Sequence, residues 1–368
     1  MKIFKNNVLL ILGLLFLSCT EDKAILSKDN YTNIKVPVNT DYTVGAIYSR
    51  FVRKTNLIET PLIGAYNGNS GDATAYVEHV KQAQTAGIDF FIFRYTASAD
   101  LNIDSIDKTY IDNLLTASNA GDMKFAFSYN FANMNLSNTK KIDDVRNKVY
   151  KDIFLKDFRS MKKYFERANY KKIGGKAVVY LNASHNLFAN DNPKFYEDLR
   201  AEMRKLNPVV ELYLIGVQPE WSPPLRFFGD QVTGKDNRFK GCVDALTITN
   251  YALINLNFYD RFYFFHKYID LAWSYHKETL AKYNIEFVPT ISPSFNPKFN
   301  TPTSPNYVIA KNADWFKANC NIARRTSGAS KLVLIDSFND WNLDTQIESA
   351  TSYGDEYLKI VKSEFKVN

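Results

Sequence analysis

The chain has 368 residues, of which 45% are hydrophobic and 15% aromatic, which is enough apolar material for one large buried core. The formal net charge is +7, but the basic residues are interspersed with acidic ones, so we expect no nucleic-acid groove. The four histidines are scattered and the cysteines lack metal-ligand spacing, so we expect no metal site.

The first element along the chain has the composition of a targeting segment. Lys2 and Lys5 form a basic head, an apolar run extends from Val8 to Leu17, and Cys19 follows directly after Ser18. A basic head, an apolar run and a small residue before the cleavage point are typical of a secretory signal. The run is too short to span a bilayer, which needs about 20 apolar residues. We therefore expect a signal peptide over residues 1–18.

Phe16-Leu17-Ser18-Cys19 resembles a bacterial lipobox, and residues 20–23 resemble the acidic export tag of Bacteroidetes surface lipoproteins. The resemblance implies cleavage before Cys19, lipidation of that residue and attachment to the outer membrane with exposure at the cell surface. We expect a tether over residues 19–40 and one (β/α)8-barrel domain over residues 41–368, whose likeness to glycoside hydrolases is given below. An ordinary signal peptide with an incidental cysteine is the alternative.

The rest of the chain alternates short apolar runs with longer amphipathic stretches. The predicted strands are 44–48, 88–93, 124–129, 176–181, 211–217, 242–248, 285–291 and 331–335. The predicted helices are 76–86, 111–119, 153–169, 195–206, 262–283, 314–325 and 358–365. Several strands are apolar on both faces, which indicates parallel pairing under a cover of helices.

This order predicts an α/β fold in the form of a single (β/α)8 TIM barrel. An open doubly wound sheet fits the strand count and the length less well. No glycine-rich phosphate-binding motif follows any strand, so we expect no nucleotide or other cofactor. We expect a monomer, in which Cys242 and Cys320 are buried thiols rather than a disulfide.

The active site of such a barrel lies at the carboxyl ends of its strands. Amide, guanidinium and aromatic side chains are frequent there, and these groups suit the hydroxyls and C–H faces of sugars. We expect an oligo- or polysaccharide partner, although any one polar residue at a strand end has an ordinary structural explanation. The predicted substrate-binding residues are Tyr48, Arg94, Tyr95, Tyr129, Asn182, His185, Gln218, Trp221, Asn250, Tyr251, Asn296, Asn339, Trp341 and Glu348.

Three carboxylates follow the last strand within nine residues, at Asp340, Asp344 and Glu348. Hydrolysis of a glycosidic bond usually requires two carboxyl groups, one of which donates a proton while the other acts as base or nucleophile. Spacing alone would equally fit a solvated acidic loop.

The segment Ser337-Phe338-Asn339-Asp340-Trp341, followed by Thr345-Gln346-Ile347-Glu348, resembles the strand-eight signature of glycoside hydrolase family 99, the endo-acting α-mannosidases, and of the related WbsX-like proteins. Weaker similarities of residues 86–91, 173–178 and 287–290 extend the resemblance over about residues 43–362. In those families two glutamates act, one on the sugar 2-hydroxyl and one as acid and base. The resemblance aligns the first with Asp340 and the second with Leu343, which cannot transfer a proton.

Two functions of different classes follow. The first is a glycoside hydrolase acting on a polysaccharide of α-mannan or another type, in which Asp340 keeps its role and Glu220 or Asp344 supplies the proton. The second is a carbohydrate-binding barrel that has lost its general acid at Leu343. We favour the hydrolase because one carboxylate and the polar strand ends remain. A scaffold with no glycan role is a weaker third option.

Overall fold

The computed structural model describes residues 31–50, 57–64, 71–99, 101–137, 139–218, 238–248, 265–305 and 308–367. The predicted signal peptide and Cys19 lie outside these ranges. Four predicted site residues also lie outside them, namely Glu220, Trp221, Asn250 and Tyr251.

Ten strand segments form one sheet. They are β1 (Thr43–Tyr48), β2 (Phe90–Thr96), β3 (Lys124–Asn130), β4 (Lys172–Ile173), β5 (Lys176–Leu181), β6 (Leu212–Gln218), β7 (Ala245–Ile248), β8 (Glu286–Phe287), β9 (Thr290–Ile291) and β10 (Leu332–Ile335). All pairings are parallel except that of β4, which is an antiparallel addition to β5. The strands are buried on both faces, as their apolar sequences predicted.

The sheet closes on itself through β8 and β9. The pairing order is β8-β7-β6-β5-β3-β2-β1-β10-β9, so β8 and β9 stand at its two ends. Only Val288 and Pro289 separate them in the chain, and the backbone of this pair bonds to both neighbouring strands: Val288 N–H donates to Leu246 O (3.0 Å) and Leu334 N–H to Pro289 O (2.9 Å). With β4 left aside and β8 and β9 counted as one strand, the sheet has the eight strands of the predicted barrel.

Helices follow the strands and cover the barrel. They are α1 (Ala73–Thr85), α2 (Leu101–Leu114), α3 (Lys148–Ser160), α4 (Lys162–Phe165), α5 (Asn192–Arg204), α6 (Phe265–Ala281), α7 (Ala313–Thr326) and α8 (Glu356–Phe365). Side chains cap several amino termini; Asp72, for example, accepts from the N–H groups of Thr74 and Ala75 at the start of α1. No described helix combines the length and the apolar character needed to cross a membrane.

Two predicted boundaries shift for identifiable reasons. The second strand begins at Phe90 rather than Ile88, because Ile88 N–H donates back to Ala83 O (2.9 Å) in the carboxyl-terminal cap of α1, where Gly87 has a positive φ of 69°. The long helix predicted over 153–169 is divided into α3 and α4. The chain then leaves the helical path because Asn169 O accepts from Phe125 N–H (3.0 Å) at the start of β3.

The described part of the predicted tether lies against the barrel. Tyr31 OH donates to Asp270 on α6 (2.9 Å), and Val36 N–H donates to Asn321 on α7 (2.9 Å). Arg324 on α7 donates to Val36 O (2.9 Å). Cys242 and Cys320 are both buried and both free.

Candidate active site at the carboxyl ends of the strands

The pleat of the strands decides which side chains enter the barrel. Successive side chains of a strand point alternately to the interior and to the helices. Tyr48 on β1 bonds to His79 on α1 and so faces the helices, which puts Gly45 on the interior face, where a Cβ would collide with the ring of Phe90. The register pairs Gly45 with Phe90, so Ile92 and Arg94 on β2 also face the interior. Arg94 is the uppermost of these and is exposed, whereas the rest of β2 is buried.

Tyr180 and Asp336 approach each other inside the barrel from opposite strands. Tyr180 lies on β5 beside Ser128 of β3, and Asp336 directly follows β10. Burial, and after it the charge of Asp336, raise the pKa of the Tyr180 hydroxyl. Asp336 is half-buried. It is therefore a carboxylate that faces the barrel interior, directly before the Ser337–Glu348 segment that follows β10.

Asp340 lies at the turn that follows β10, and the surrounding backbone is firmly held. Ser337 Oγ accepts from the N–H of Asp340 (2.7 Å), and one oxygen of the Asp340 carboxylate accepts from Asn342 N–H (3.1 Å). The amide of Asn339 accepts from Ser49 N–H (2.7 Å) and donates to Ser49 O (3.2 Å). This two-way contact joins the turns after β1 and β10. Asp340 remains half-buried.

A buried chain of hydrogen bonds lies behind this turn. Tyr48 OH and His79 Nδ1 are hydrogen-bonded (2.7 Å), and His79 Nε2 lies 3.0 Å from Glu348 Oε1. Trp341 Nε1–H donates to Glu348 Oε2 (2.8 Å). All four side chains are at most 2% exposed. Tyr48, Trp341 and Glu348 were predicted to contact substrate, but protein encloses them, which makes them candidates for positioning the turn.

Asp344 occupies a second buried polar cluster. Its carboxylate lies 3.4 Å from Lys311 Nζ and accepts from Gln346 Nε2 (3.2 Å). Burial raises the pKa of Asp344 while the charge of Lys311 opposes that change. Burial likewise lowers the pKa of Lys311 to about 8. Lys311 Nζ also lies about 5 Å from the ring centres of Tyr353 and Tyr357.

The exposed guanidinium of Arg94 belongs to a third cluster. Asp107 on α2 is 1% exposed and receives two arginines: Arg50 Nη1 lies 3.0 Å from Oδ1, and Arg94 Nε lies 3.4 Å from Oδ2. Arg94 Nε also donates to Thr96 Oγ1 (3.1 Å), and Thr96 Oγ1 donates to Asp107. Arg50 directly follows Ser49, the residue held by Asn339.

Tyr95 and Tyr129 turn away from the barrel interior. Tyr129 OH donates to Asp157 on α3 (2.8 Å), and its ring packs on Phe154 and Phe158. Tyr95 is 1% exposed and stacks near Tyr129, with ring centres 6.4 Å apart. Both tyrosines therefore lie in the layer between strands and helices.

Three predicted residues are half-buried after the carboxyl ends of strands. They are Asn182, His185 and Asn296. Asn296 N–H donates to Leu343 O (2.7 Å), which fixes the backbone of Leu343, and the Leu343 side chain packs against the core. Asn339 is 4% exposed. Gln218 ends β6, but its side chain is outside the described part of the chain.

The sequence reasoning missed Asp336, Tyr180, Asp107, His79 and Lys311. The period of two within each predicted strand separates its residues into two faces, and this alternation was the available signal for Tyr180 and Asp336. Asp107, His79 and Lys311 lie on helices or loops, and no local pattern connects them with the strand ends.

The chain matches the family model described as "Glycosyltransferase WbsX" over residues 64–361. No match is found among curated proteins. A solved structure described as "Glycoside hydrolase-like protein" is 36% identical, with a TM-score of 0.82, and the match covers 92% of this chain and 98% of that chain. The GH99 endo-alpha-mannosidase from Bacteroides thetaiotaomicron shares the fold at 14% identity and a TM-score of 0.61, over 87% of this chain and 96% of that chain. These structures confirm the predicted fold class.

Proposed function

The chain belongs to the WbsX family, and from this premise we propose that it is a glycoside hydrolase acting on a polysaccharide, with Asp340 as its surviving catalytic carboxylate. The observation that carries the proposal is the position of Asp340. It lies half-buried at the carboxyl end of β10, on a turn that Ser337 and Asn339 hold in place. Chains of the α-mannan type are the first substrates to examine, because the solved relative of similar fold is an endo-alpha-mannosidase.

The family is named for a glycosyltransferase, and the 36% identical structure for a glycoside hydrolase. Both reactions break a bond at an anomeric carbon, and they differ in whether water or a sugar hydroxyl accepts the glycosyl group. The experiment must therefore score released sugar and transferred sugar separately.

Hydrolysis requires a second carboxyl group that donates a proton. Asp344 supports this role through its burial, which raises its pKa as a proton donor requires, although Lys311 occupies part of its carboxylate. Asp336 offers a carboxylate on the interior side of the same turn. Glu220 remains a third candidate by sequence.

One observation favours the alternative, a carbohydrate-binding barrel without catalysis. Leu343 stands where the resembling families have their acid and base, and its side chain packs against the hydrophobic core. The cleft could then hold a glycan without cutting it.

Incubation of the purified protein with α-mannans and a panel of microbial and host polysaccharides, followed by quantification of new reducing ends and of transfer products, tests the proposal. Asp340→Asn should lower turnover by about 10²–10⁴-fold, the usual contribution of a catalytic acid or base. Glu220→Gln and the double variant Asp344→Asn with Lys311→Met, which leaves no unpaired ammonium, serve as parallel variants for the proton donor. Unchanged turnover in Asp340→Asn would refute the assignment. Binding without any product would instead favour the non-catalytic alternative.

The proposal includes the place where the protein works. We propose that a lipid on Cys19 anchors it to the outer membrane, with the barrel at the cell surface. Metabolic labelling with a fatty-acid analogue should mark the wild-type protein and leave Cys19→Ala unlabelled. Protease treatment of intact cells should degrade the wild-type protein, and its full protection would contradict surface exposure.

A further inference from the structure

We propose that Arg94 and Arg50 form a subsite for an oxyanion on the glycan, a carboxylate or a sulfate, so that the substrate is an acidic polysaccharide. This inference rests on the proposed function, because it names a substrate class for the same cleft.

Arg94 is exposed within a strand that is otherwise buried. The other six residues of β2 are at most 2% exposed, whereas the Arg94 side chain is 41% exposed. The pleat directs Arg94 into the interior of a closed barrel. A side chain that faces the interior of a closed barrel can reach solvent only through the mouth of the barrel. Arg94 therefore presents its guanidinium to the cleft.

The two arginines share one carboxylate. Among the described residues, Asp107 is the carboxylate that both arginines contact, so two guanidinium groups are paired with one anion. Arg94 uses Nε for Thr96 and Asp107, and none of the described residues accepts a hydrogen bond from its two terminal nitrogens. These terminal nitrogens can bind the two oxygens of a carboxylate or sulfate side by side.

Asp107 also fixes the orientation of this donor pair. Its side chain is 1% exposed, and Thr96 Oγ1 donates to it while accepting from Arg94 Nε. Arg94 Nε is thus bound to Thr96 and Asp107, which leaves its two terminal nitrogens for a ligand.

The turn that carries Arg50 is in contact with the turn that carries Asp340. Ser49 and Asn339 are in two-way contact (2.7 and 3.2 Å). Arg50 directly follows Ser49 and Asp340 directly follows Asn339, so each is one residue from that contact, and consecutive Cα atoms are about 3.8 Å apart. Arg50 and Asp340 thus flank the same contact between the turns after β1 and β10, which places the cluster of Arg50, Asp107 and Arg94 beside the proposed catalytic turn.

The test compares oligosaccharides that differ only in charge. Uronate oligosaccharides are paired with their carboxyl-reduced forms, and sulfated oligosaccharides with their desulfated forms, so that the two pairs distinguish the two sources of oxyanion. Binding to the full protein is measured by isothermal titration calorimetry. The wild-type protein should bind the anionic member of at least one pair more tightly, and Arg94→Gln should weaken that binding by about 10- to 100-fold.

Arg94→Lys and Arg167→Gln are the matched controls. Arg94→Lys keeps the charge without the paired donors and should retain part of the preference. Arg167 is exposed between α4 and β4, at the amino ends of the strands, so Arg167→Gln makes the same charge change and should leave binding unaltered. Equal affinity for charged and neutral members, a preference that survives Arg94→Gln, or no binding of any anionic member would each overturn the inference. Cleavage of neutral mannan, scored separately, would then still support the proposed function.

Discussion

The imidazole Nε2 of His79 lies 3.0 Å from Glu348 Oε1, and neither side chain is accessible to solvent. His79 belongs to α1 and Glu348 to the segment after β10, so the contact joins the two ends of the barrel sequence. Trp341 is hydrogen-bonded to Glu348, and Tyr48 is hydrogen-bonded to His79. The turn that carries Asp340 is therefore connected to a helix by buried polar groups, each of which has its partner.

Glu348→Gln should destabilise the protein, because one of the donors at His79 and Trp341 then loses a charged acceptor. A buried polar group left without its partner costs about 1–3 kcal/mol, so the free energy of unfolding in urea should fall by that amount. Glu78→Gln, one residue before His79 on the same helix and exposed, is the control and should leave the urea midpoint unchanged. Equal stability of the two variants would contradict a supporting role for Glu348.

The barrel was predictable from the sequence, whereas the orientation of its strand-end residues was not. Strands buried on both faces appear as continuous apolar runs, and the run Lys176–Leu181 is identical in prediction and structure. Every polar or aromatic residue at a strand end was predicted to face the cleft. In the structure the pleat turns Tyr95 and Tyr129 to the helices and leaves Arg94 in the interior.

The contacts behind the site were beyond the reach of sequence reasoning for a different reason. The strand ends are contacted by residues on helices and loops that are distant in sequence, namely Asp107, His79 and Lys311. The local sequence pattern does not predict these contacts. The three carboxylates that follow β10, Asp340, Asp344 and Glu348, were predicted as a group. Their environments differ, with Asp340 half-buried and Glu348 fully buried, because only tertiary packing decides burial.

Asp344→Asn should destabilise the protein strongly. It leaves the Lys311 ammonium, 13% exposed, without the carboxylate 3.4 Å away, and removing one partner of a buried ion pair costs about 3–5 kcal/mol. Adding Lys311→Met to Asp344→Asn removes the unpaired charge and should restore most of the loss. Asparagine suits position 344, where φ is 59°.

Urea unfolding of the two single variants and the double variant gives the coupling between Lys311 and Asp344. The exposed pair of Lys317 and Asp314 on α7 provides the control, since Asp314→Asn should leave the urea midpoint unchanged. If the two single effects simply add, the pair is not coupled and the loss has another source.

The stability of the protein should fall with pH below about 6.5 because of His276. This residue is fully buried on α6, and burial lowers the pKa of its imidazole to about 3. Between these values the unfolded chain binds a proton that the native protein does not, so the free energy of unfolding decreases as pH falls. The loss from this group between pH 7 and pH 5 is about 2 kcal/mol.

Other buried groups also respond to acid, so the test compares the pH dependence of the wild-type protein with that of a variant that lacks this imidazole. His276→Phe has no imidazole to protonate and should lose less stability than the wild-type protein between pH 7 and pH 5, measured by urea unfolding at each pH. The neighbouring ring of Phe287, whose centre lies 5.7 Å from that of His276, provides apolar surroundings for the new side chain. Parallel pH profiles for the two proteins would show that His276 does not titrate in this way.

Leu343→Glu distinguishes the hydrolase from the binding protein more directly than any loss of activity. The backbone at this position is held by the hydrogen bond from Asn296 N–H to Leu343 O (2.7 Å), which does not depend on the side chain. A glutamate there lies three residues after Asp340, at the position of the second glutamate in the resembling families. If a missing acid limits the reaction, turnover of the bound glycan should rise by about 10²-fold or more.

Leu343→Gln is the matched control, because it has the shape of glutamate without the proton. It should show no gain, and Leu343→Glu combined with Asp340→Asn should lose the gain, since the mechanism needs both carboxyl groups. A wild-type protein that only binds glycans would then become a hydrolase by one substitution. Equal activity of the glutamate and glutamine variants would instead mean that the proton comes from elsewhere, which directs attention to Asp336 and Asp344 as the groups to replace.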